Sequence, residues 1–133
     1  MTETRSVIIE RELAYTPELI WQALTEPALI EDWLIASDFR PEVDHRFRFT
    51  ADWGSVDCRV LEVEPQRSLT YTWQAHGVDT VVTWTLTPTE KGAKLRMEQA
   101  GFGADQKQAY GGAKHGWARF LDKLQDLLVK RCR

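Results

Sequence analysis

The sequence predicts an α+β fold: a curved antiparallel sheet of about six strands wrapped round one long C-terminal helix, with two short helices after the first strand. Three observations carry this. Between residues 46 and 99, apolar and polar residues alternate with period two in segment after segment. Between residues 117 and 128, apolar positions recur at the helical period. Between them, the first third of the chain passes from β-branched residues to two proline-marked helix starts.

The first strand spans SVIIERELAY, 6–15, with Val7, Ile9 and Leu13 on one face. Thr16-Pro17-Glu18 then starts a helix. Thr16 can cap it, Pro17 suits its first position and Glu18 suits its positive end. Ile20, Trp21 and Leu24 form its apolar face. Pro27 disfavours a helical Glu26, so a second short helix begins there, facing inward with Leu29, Ile30, Trp33 and Leu34. After Pro41, Phe47, Phe49 and Ala51 alternate with Arg46, Arg48 and Thr50. The next strand covers about 55–63, with Val56, Cys58 and Val60 on one face. A turn at Glu64-Pro65-Gln66-Arg67 leads to Leu69, Tyr71 and Trp73. A hairpin at His76-Gly77 leads to Val82, Trp84 and Leu86, and a turn at Glu90-Lys91-Gly92 leads to Leu95, Met97 and Gln99. Such strands, each with one polar face, make a sheet wetted on one side. The final helix turns Trp117, Phe120, Leu121, Leu124, Leu127 and Leu128 to one face, against Lys114, Arg119, Asp122, Lys123 and Asp126. The apolar sheet face and the apolar helix face must cover each other, and Trp84 and Leu124 should meet in that layer.

A length of 133 residues suits a single domain, 1–133, and a composition 43% hydrophobic and 28% charged suits a soluble globule. The formal net charge of −3 and a pI of about 5.6 argue against nucleic acid as partner. The basic end, Lys130-Arg131-Cys132-Arg133, complements a helix dipole. Nothing reads as a secretory leader or a membrane span, so a cytoplasmic location and no membrane insertion are expected. Cys58 and Cys132 make no disulfide framework, no metal motif is present, and no cofactor is expected.

The element order resembles the helix-grip fold of the START-like, or SRPBCC, superfamily. TPELIWQALTEPALIEDW (16–33), FRF (47–49), RVLEVEPQRSLTYTW (59–73), VVTWTLTP (81–88) and HGWARFLDKL (115–124) look like the family related to the C-terminal domain of the activator of heat-shock-protein-90 ATPase. The chain departs from that pattern at Asp44-His45, where the family often has Gly-Gly, at Gly92-Ala93, where it often has Gly-Thr, and at Gln99, where it often has histidine. The resemblance implies a cavity between sheet and helix, used across the superfamily for lipids, polyketides and other apolar molecules. It also offers a chaperone-regulating reading. The activator needs a second domain for that, and a single domain of 133 residues is not expected to act in that way.

The candidate cavity lining is Trp33, Phe49, Tyr71, Trp73, Trp84, Met97, Gln99, Phe102, Tyr110, Gly112, Gly116 and Trp117, with Phe47, Cys58 and Val60 beside them. Trp73, Tyr71, Gln99, Tyr110 and Trp117 combine bulk with polar handles that could orient a ligand. Gly111, Gly112 and Gly116 weaken the start of the last helix by about 1 kcal/mol each. They mark either space at a cavity mouth or close packing against the sheet, Trp33 or Trp53. No catalytic residue is assigned. The acid–base candidates are Tyr110, His115 and Glu62, the last on the parity of Cys58 and Val60, and Asp52 with Asp57 could form a carboxylate pair. His45 and His76 lie in turns. The leading expectation is binding of a small apolar, aromatic or lipid-like molecule. The alternatives are a cyclase or aromatase-type enzyme using the same cavity, and a module that binds another protein.

Overall fold

The structure, a computed structural model, describes residues 4–52, 54–75 and 77–131. Seven strands form one antiparallel sheet in the order β1-β7-β6-β5-β4-β3-β2. They are β1 (Thr4–Leu13), β2 (Ala36–Ser37), β3 (Arg46–Ala51), β4 (Gly54–Glu64), β5 (Ser68–Ala75), β6 (Val78–Pro88) and β7 (Ala93–Gly103). The helices are α1 (Pro17–Thr25), α2 (Pro27–Trp33) and α3 (Lys107–Arg131). The strand beyond the predicted six is β2, whose two residues pair with Thr50 and Phe49 at the sheet edge.

Local chemistry sets the helix boundaries as the sequence implies. Thr16 Oγ1 accepts the Leu19 N–H, and Pro17 opens α1. Glu26 is extended, so it ends α1 and begins α2 in one step. Leu29, Ile30, Trp33 and Leu34 are all buried. The first strand joins the sheet by pairing along its length with β7, which leaves β1 and β2 as the edges.

The core lies between the inner sheet face and the helices. Trp84 and Leu124 are 1% and 0% exposed and belong to one buried cluster. Leu121 and Leu128 join it from α3, while Phe120 and Leu127 pack at its rim. An ion pair of 2.7 Å from Arg11 to Asp122 ties β1 to the outer side of α3, and the same guanidinium donates to Gln125 Oε1.

Two bulges change which side chains face inward. In β4 the pairing with β5 shifts between Val60 and Glu62, so the extra residue, Leu61, reverses the parity beyond it. Val63 packs on the core and Glu62 turns to solvent, so Glu62 does not keep the inward parity of Cys58 and Val60. In β7, Arg5 pairs with Phe102 but Ser6 pairs with Ala100, leaving Gly101 as the extra residue at φ 113°. A side chain there would press on Asp79 and Thr80, and only glycine adopts that backbone freely. The bulge returns Phe102 to the core at 1% exposure.

At Asp44-His45, where the resemblance leads one to expect glycines, Asp44 takes a left-handed φ of 69°, a conformation aspartate tolerates better than most residues. Gly92 is required by close approach, because a Cβ there would collide with the backbone of Leu13 and Tyr15. Trp53, His76 and Cys132, and with them the packing expected of Trp53, the His76 turn and the Cys58–Cys132 separation, lie outside the described residues. No described helix is long and apolar enough to cross a membrane.

Candidate functional site

The inner face of β3–β7 carries most of the predicted lining residues, and α3 lays Trp117 across them. The rings form a connected series. Trp33 meets Trp84 edge-on at 5.7 Å, Trp84 meets Trp117 at 5.6 Å, and Trp117 meets Trp73 at 5.1 Å. Trp73 in turn meets Phe49 at 5.2 Å. Phe39, which sequence alternation could not place because it lies between elements, is buried and packs edge-on against Phe47 at 4.9 Å.

Each buried polar tip in this series has a partner. Trp33 Nε1 donates to the Ala23 carbonyl at 2.7 Å, which locks α2 onto α1. Trp84 Nε1 donates to the Tyr71 hydroxyl at 2.9 Å. Trp117 Nε1 donates to Gln99 Oε1 at 2.7 Å, and Gln99 Nε2 donates to Thr80 Oγ1 at 2.9 Å. Thr80 Oγ1 donates onward to the Trp73 carbonyl at 3.0 Å. Thr80 was not among the predicted residues. It shares the inward parity of Val82, Trp84 and Leu86, so the alternation alone could have found it. A buried amide and hydroxyl linked this way fix ring orientation, since breaking any one bond leaves a polar group unpaired in the core.

Two buried titratable groups respond to this interior. Burial pushes the Tyr71 hydroxyl well above the ordinary tyrosine range, and the bond from Trp84 offsets this only in part. Burial also pushes the Cys58 thiol up, with added repulsion from Asp57 and Asp38. Both groups are therefore neutral near pH 7, and Cys58 is no nucleophile there.

The predicted residues divide into three sets. Trp33, Phe49, Tyr71, Trp84, Met97, Gln99, Phe102 and Trp117 are buried together in the core. Trp73 and Tyr110 are half-buried at its margin. Tyr110 packs edge-on against Phe102 at 5.7 Å, with the Arg5 and Lys114 cations 5.8 and 5.4 Å from its ring. Gly112 is exposed, and Gly111 and Gly116 are half-buried. A Cβ built on any of these three glycines would meet nothing within 4 Å. Of the two readings, space or close packing, only space fits the surroundings of all three. Helical rotation puts Gly116 on the same flank as Ala109, Ala113 and Phe120, beside Trp117.

The acid–base candidates are not brought together. Glu62 pairs with Thr70 on the outer sheet face, because of the β4 bulge, while Tyr110 and His115 sit on α3 across the sheet. His115 is exposed. Asp57 lies within β4, not at a turn, and its carboxylate accepts Arg48 Nε at 2.8 Å instead of facing Asp52. His45 Nε2 bonds the Asp38 carbonyl at 3.1 Å. Among the described residues, no three His, Cys, Asp or Glu side chains converge as a metal site.

The family model for "Activator of Hsp90 ATPase homolog 1-like protein" matches residues 14–129. The crystal structure of MLL2253 from Mesorhizobium loti is 53% identical, with 95% of this chain and 98% of that one covered at a TM-score of 0.92. CalU16 from Micromonospora echinospora is 27% identical, with 95% and 77% covered at 0.83. BH1534 from Bacillus halodurans, 22% identical with 96% and 99% covered at 0.83, shares the fold. A search of curated proteins found no sequence match.

Proposed function

The chain belongs to the activator of Hsp90 ATPase homolog 1-like family, and from that premise we propose that it binds a small, largely aromatic molecule between the sheet and the N-terminal half of α3. The ligand stacks on Trp73 and Trp117 and enters past Gly116. The observation that carries this reading is the space at Gly116: it is half-buried, one residue from Trp117, yet a Cβ there would touch nothing. The glycines also lower the cost of lifting this half of the helix, by about 1 kcal/mol each relative to alanine. The bond from Trp117 to Gln99 fixes the indole at the start of the well-packed half of α3, so that only residues 107–116 need to lift.

The enzyme reading loses support because Glu62 lies on the opposite sheet face from Tyr110 and His115. The protein-docking reading gains little from the large apolar residues exposed among the described ones. The exposed large apolar residues Ile8, Val43 and Val129 lie on three separate segments.

A panel of aromatic and acyl compounds tests the proposal. A bound compound quenches tryptophan fluorescence and raises the thermal midpoint, since it binds only the folded chain. Gly116→Val, which fills the entrance, yields a folded protein with weaker binding. If no compound in the panel quenches or shifts the midpoint, the proposal fails. If one binds Gly116→Val and the wild type equally, the entrance lies elsewhere.

A further inference from the structure

The outer face of the sheet, turned away from α3, carries an open groove of about 1140 Å³ across β2–β5. Its chemistry is unlike that of the core. Arg46 and Arg59 stand directly opposite each other in the β3–β4 register. The backbone bond from Val60 N–H to the His45 carbonyl makes the preceding position the bonded one. Arg46 and Arg59 therefore occupy the position where facing side chains come closest. Two like charges so placed destabilise a sheet unless something negative lies between them.

The acids of the groove do not supply that charge. Asp57 gives its carboxylate to Arg48 Nε at 2.8 Å, and Asp38 Oδ1 accepts the Arg48 backbone N–H at 2.9 Å. The nearest acid to Arg59 is Asp44, at 3.9 Å and 79% exposed, which is weak compensation. Among the described residues, the Arg46 side chain has no ion-pair partner within 4.0 Å. The groove is lined by apolar Ala36, Phe47 and Cys58 as well as by polar groups, and beside the two arginines Thr72 and Gln74 are partly unspent. Thr72 Oγ1 accepts the Arg59 N–H at 2.8 Å, which leaves its own hydrogen to donate. Gln74 Nε2 donates to Asp79 at 3.1 Å, which leaves its carbonyl to accept.

The geometry points to a second binding site, in which Arg46 and Arg59 clamp the phosphate of a small, hydroxyl-rich phosphorylated molecule whose remainder lies along Thr72 and Gln74. Two facing guanidiniums ask for a dianion, and planar forks suit its oxygens. A carboxylate would neutralise only half of the charge. The groove exceeds one phosphate many times over and is comparable to sites for drug-sized molecules. This site is on the other side of the sheet from the aromatic interior, so neither proposal depends on the other.

The probe is inorganic phosphate, titrated at pH 8 and constant ionic strength, with binding read from the thermal midpoint and from amide chemical shifts. Phosphate is expected to stabilise the wild type saturably and to move the amides of β3 and β4. Arg46→Gln and Arg59→Gln should each weaken phosphate binding about tenfold or more. In phosphate-free buffer, both should raise the midpoint, because either one relieves the facing charges. Arg67→Gln, at the β4–β5 turn, should leave phosphate binding unchanged and thereby control for net charge. Equal responses in Arg46→Gln, Arg59→Gln and Arg67→Gln would overturn the site. A response to acetate as strong as that to phosphate would overturn the assignment to a dianion.

Discussion

The two halves of α3 are built differently. From Trp117 onward the helix drives Leu121, Leu124 and Leu128 into the core, and Arg11 fastens its outer side to β1. From Lys107 to Gly116 it carries three glycines, an exposed histidine and no fully buried side chain. Tertiary packing holds the second half, as it holds most helices. The first half has poor propensity and little packing, and its half-buried Tyr110 rests edge-on against Phe102. A helix designed only for stability would not begin this way. The contrast teaches that one continuous helix can be firmly anchored by packing at one end and weakly held at the other.

The largest effect should come from removing the anchor. Leu124→Ala leaves a cavity in a site with no exposure, and should cost about 2–5 kcal/mol in urea denaturation. A loss below about 1 kcal/mol would mean that the second half is no better packed than the first.

Gln99→Leu comes next. It strips the acceptor from Trp117 Nε1 and the donor to Thr80, and an orphaned buried N–H costs about 1–3 kcal/mol. The Trp117 environment should change as well, seen as a shift in tryptophan emission. Unchanged stability and emission would show that the polar chain does not hold the ring at the junction of the two halves.

A pH effect of similar or smaller size follows from Tyr71 and Cys58. Both pKa values are raised by burial, so their contribution is full below the unfolded values, roughly 10 and 8.5, and is lost as pH rises above them. Stability should fall from about pH 9 upward, by at most about 1.4 kcal/mol per pH unit for each group. Tyr71→Phe should flatten the part that begins near pH 10, at a neutral-pH cost from the stranded Trp84 N–H. A fall of the same slope in Tyr71→Phe would assign the loss to other groups.

The smallest effect tests the weakly held half directly. Gly112→Ala places a methyl where nothing lies within 4 Å, on a helix, and should stabilise by up to about 1 kcal/mol. It should also slow amide exchange in residues 107–116 more than in 117–128. Equal exchange in the two halves of the wild type would remove the distinction between them.

Particular residues show how far the sequence could be read. Strand and helix faces followed from spacing because period two and period 3.6 are properties of the backbone itself. Trp33, Phe49, Tyr71, Trp84, Met97, Gln99 and Trp117 form one buried group for that reason. Glu62 does not join it, because one extra residue at Leu61 flips every later side chain and leaves no mark in composition. Phe102 is buried, but its inward aim depends on the bulge at Gly101 and not on simple alternation. Phe39 escaped notice because it belongs to no repeating segment.

The sequence by itself determined the elements, their order and their apolar faces, since these depend on neighbours along the chain. It also determined that α3 begins weakly, because glycine carries that cost wherever it stands in a helix. Only the tertiary structure decided that the three glycines border space instead of tight packing, a fact about atoms distant in sequence. Only it paired Gln99 with Trp117 and Thr80, 18 and 19 residues away. And only the register of β3 against β4 set Arg46 opposite Arg59, turning two separate surface charges into a facing pair.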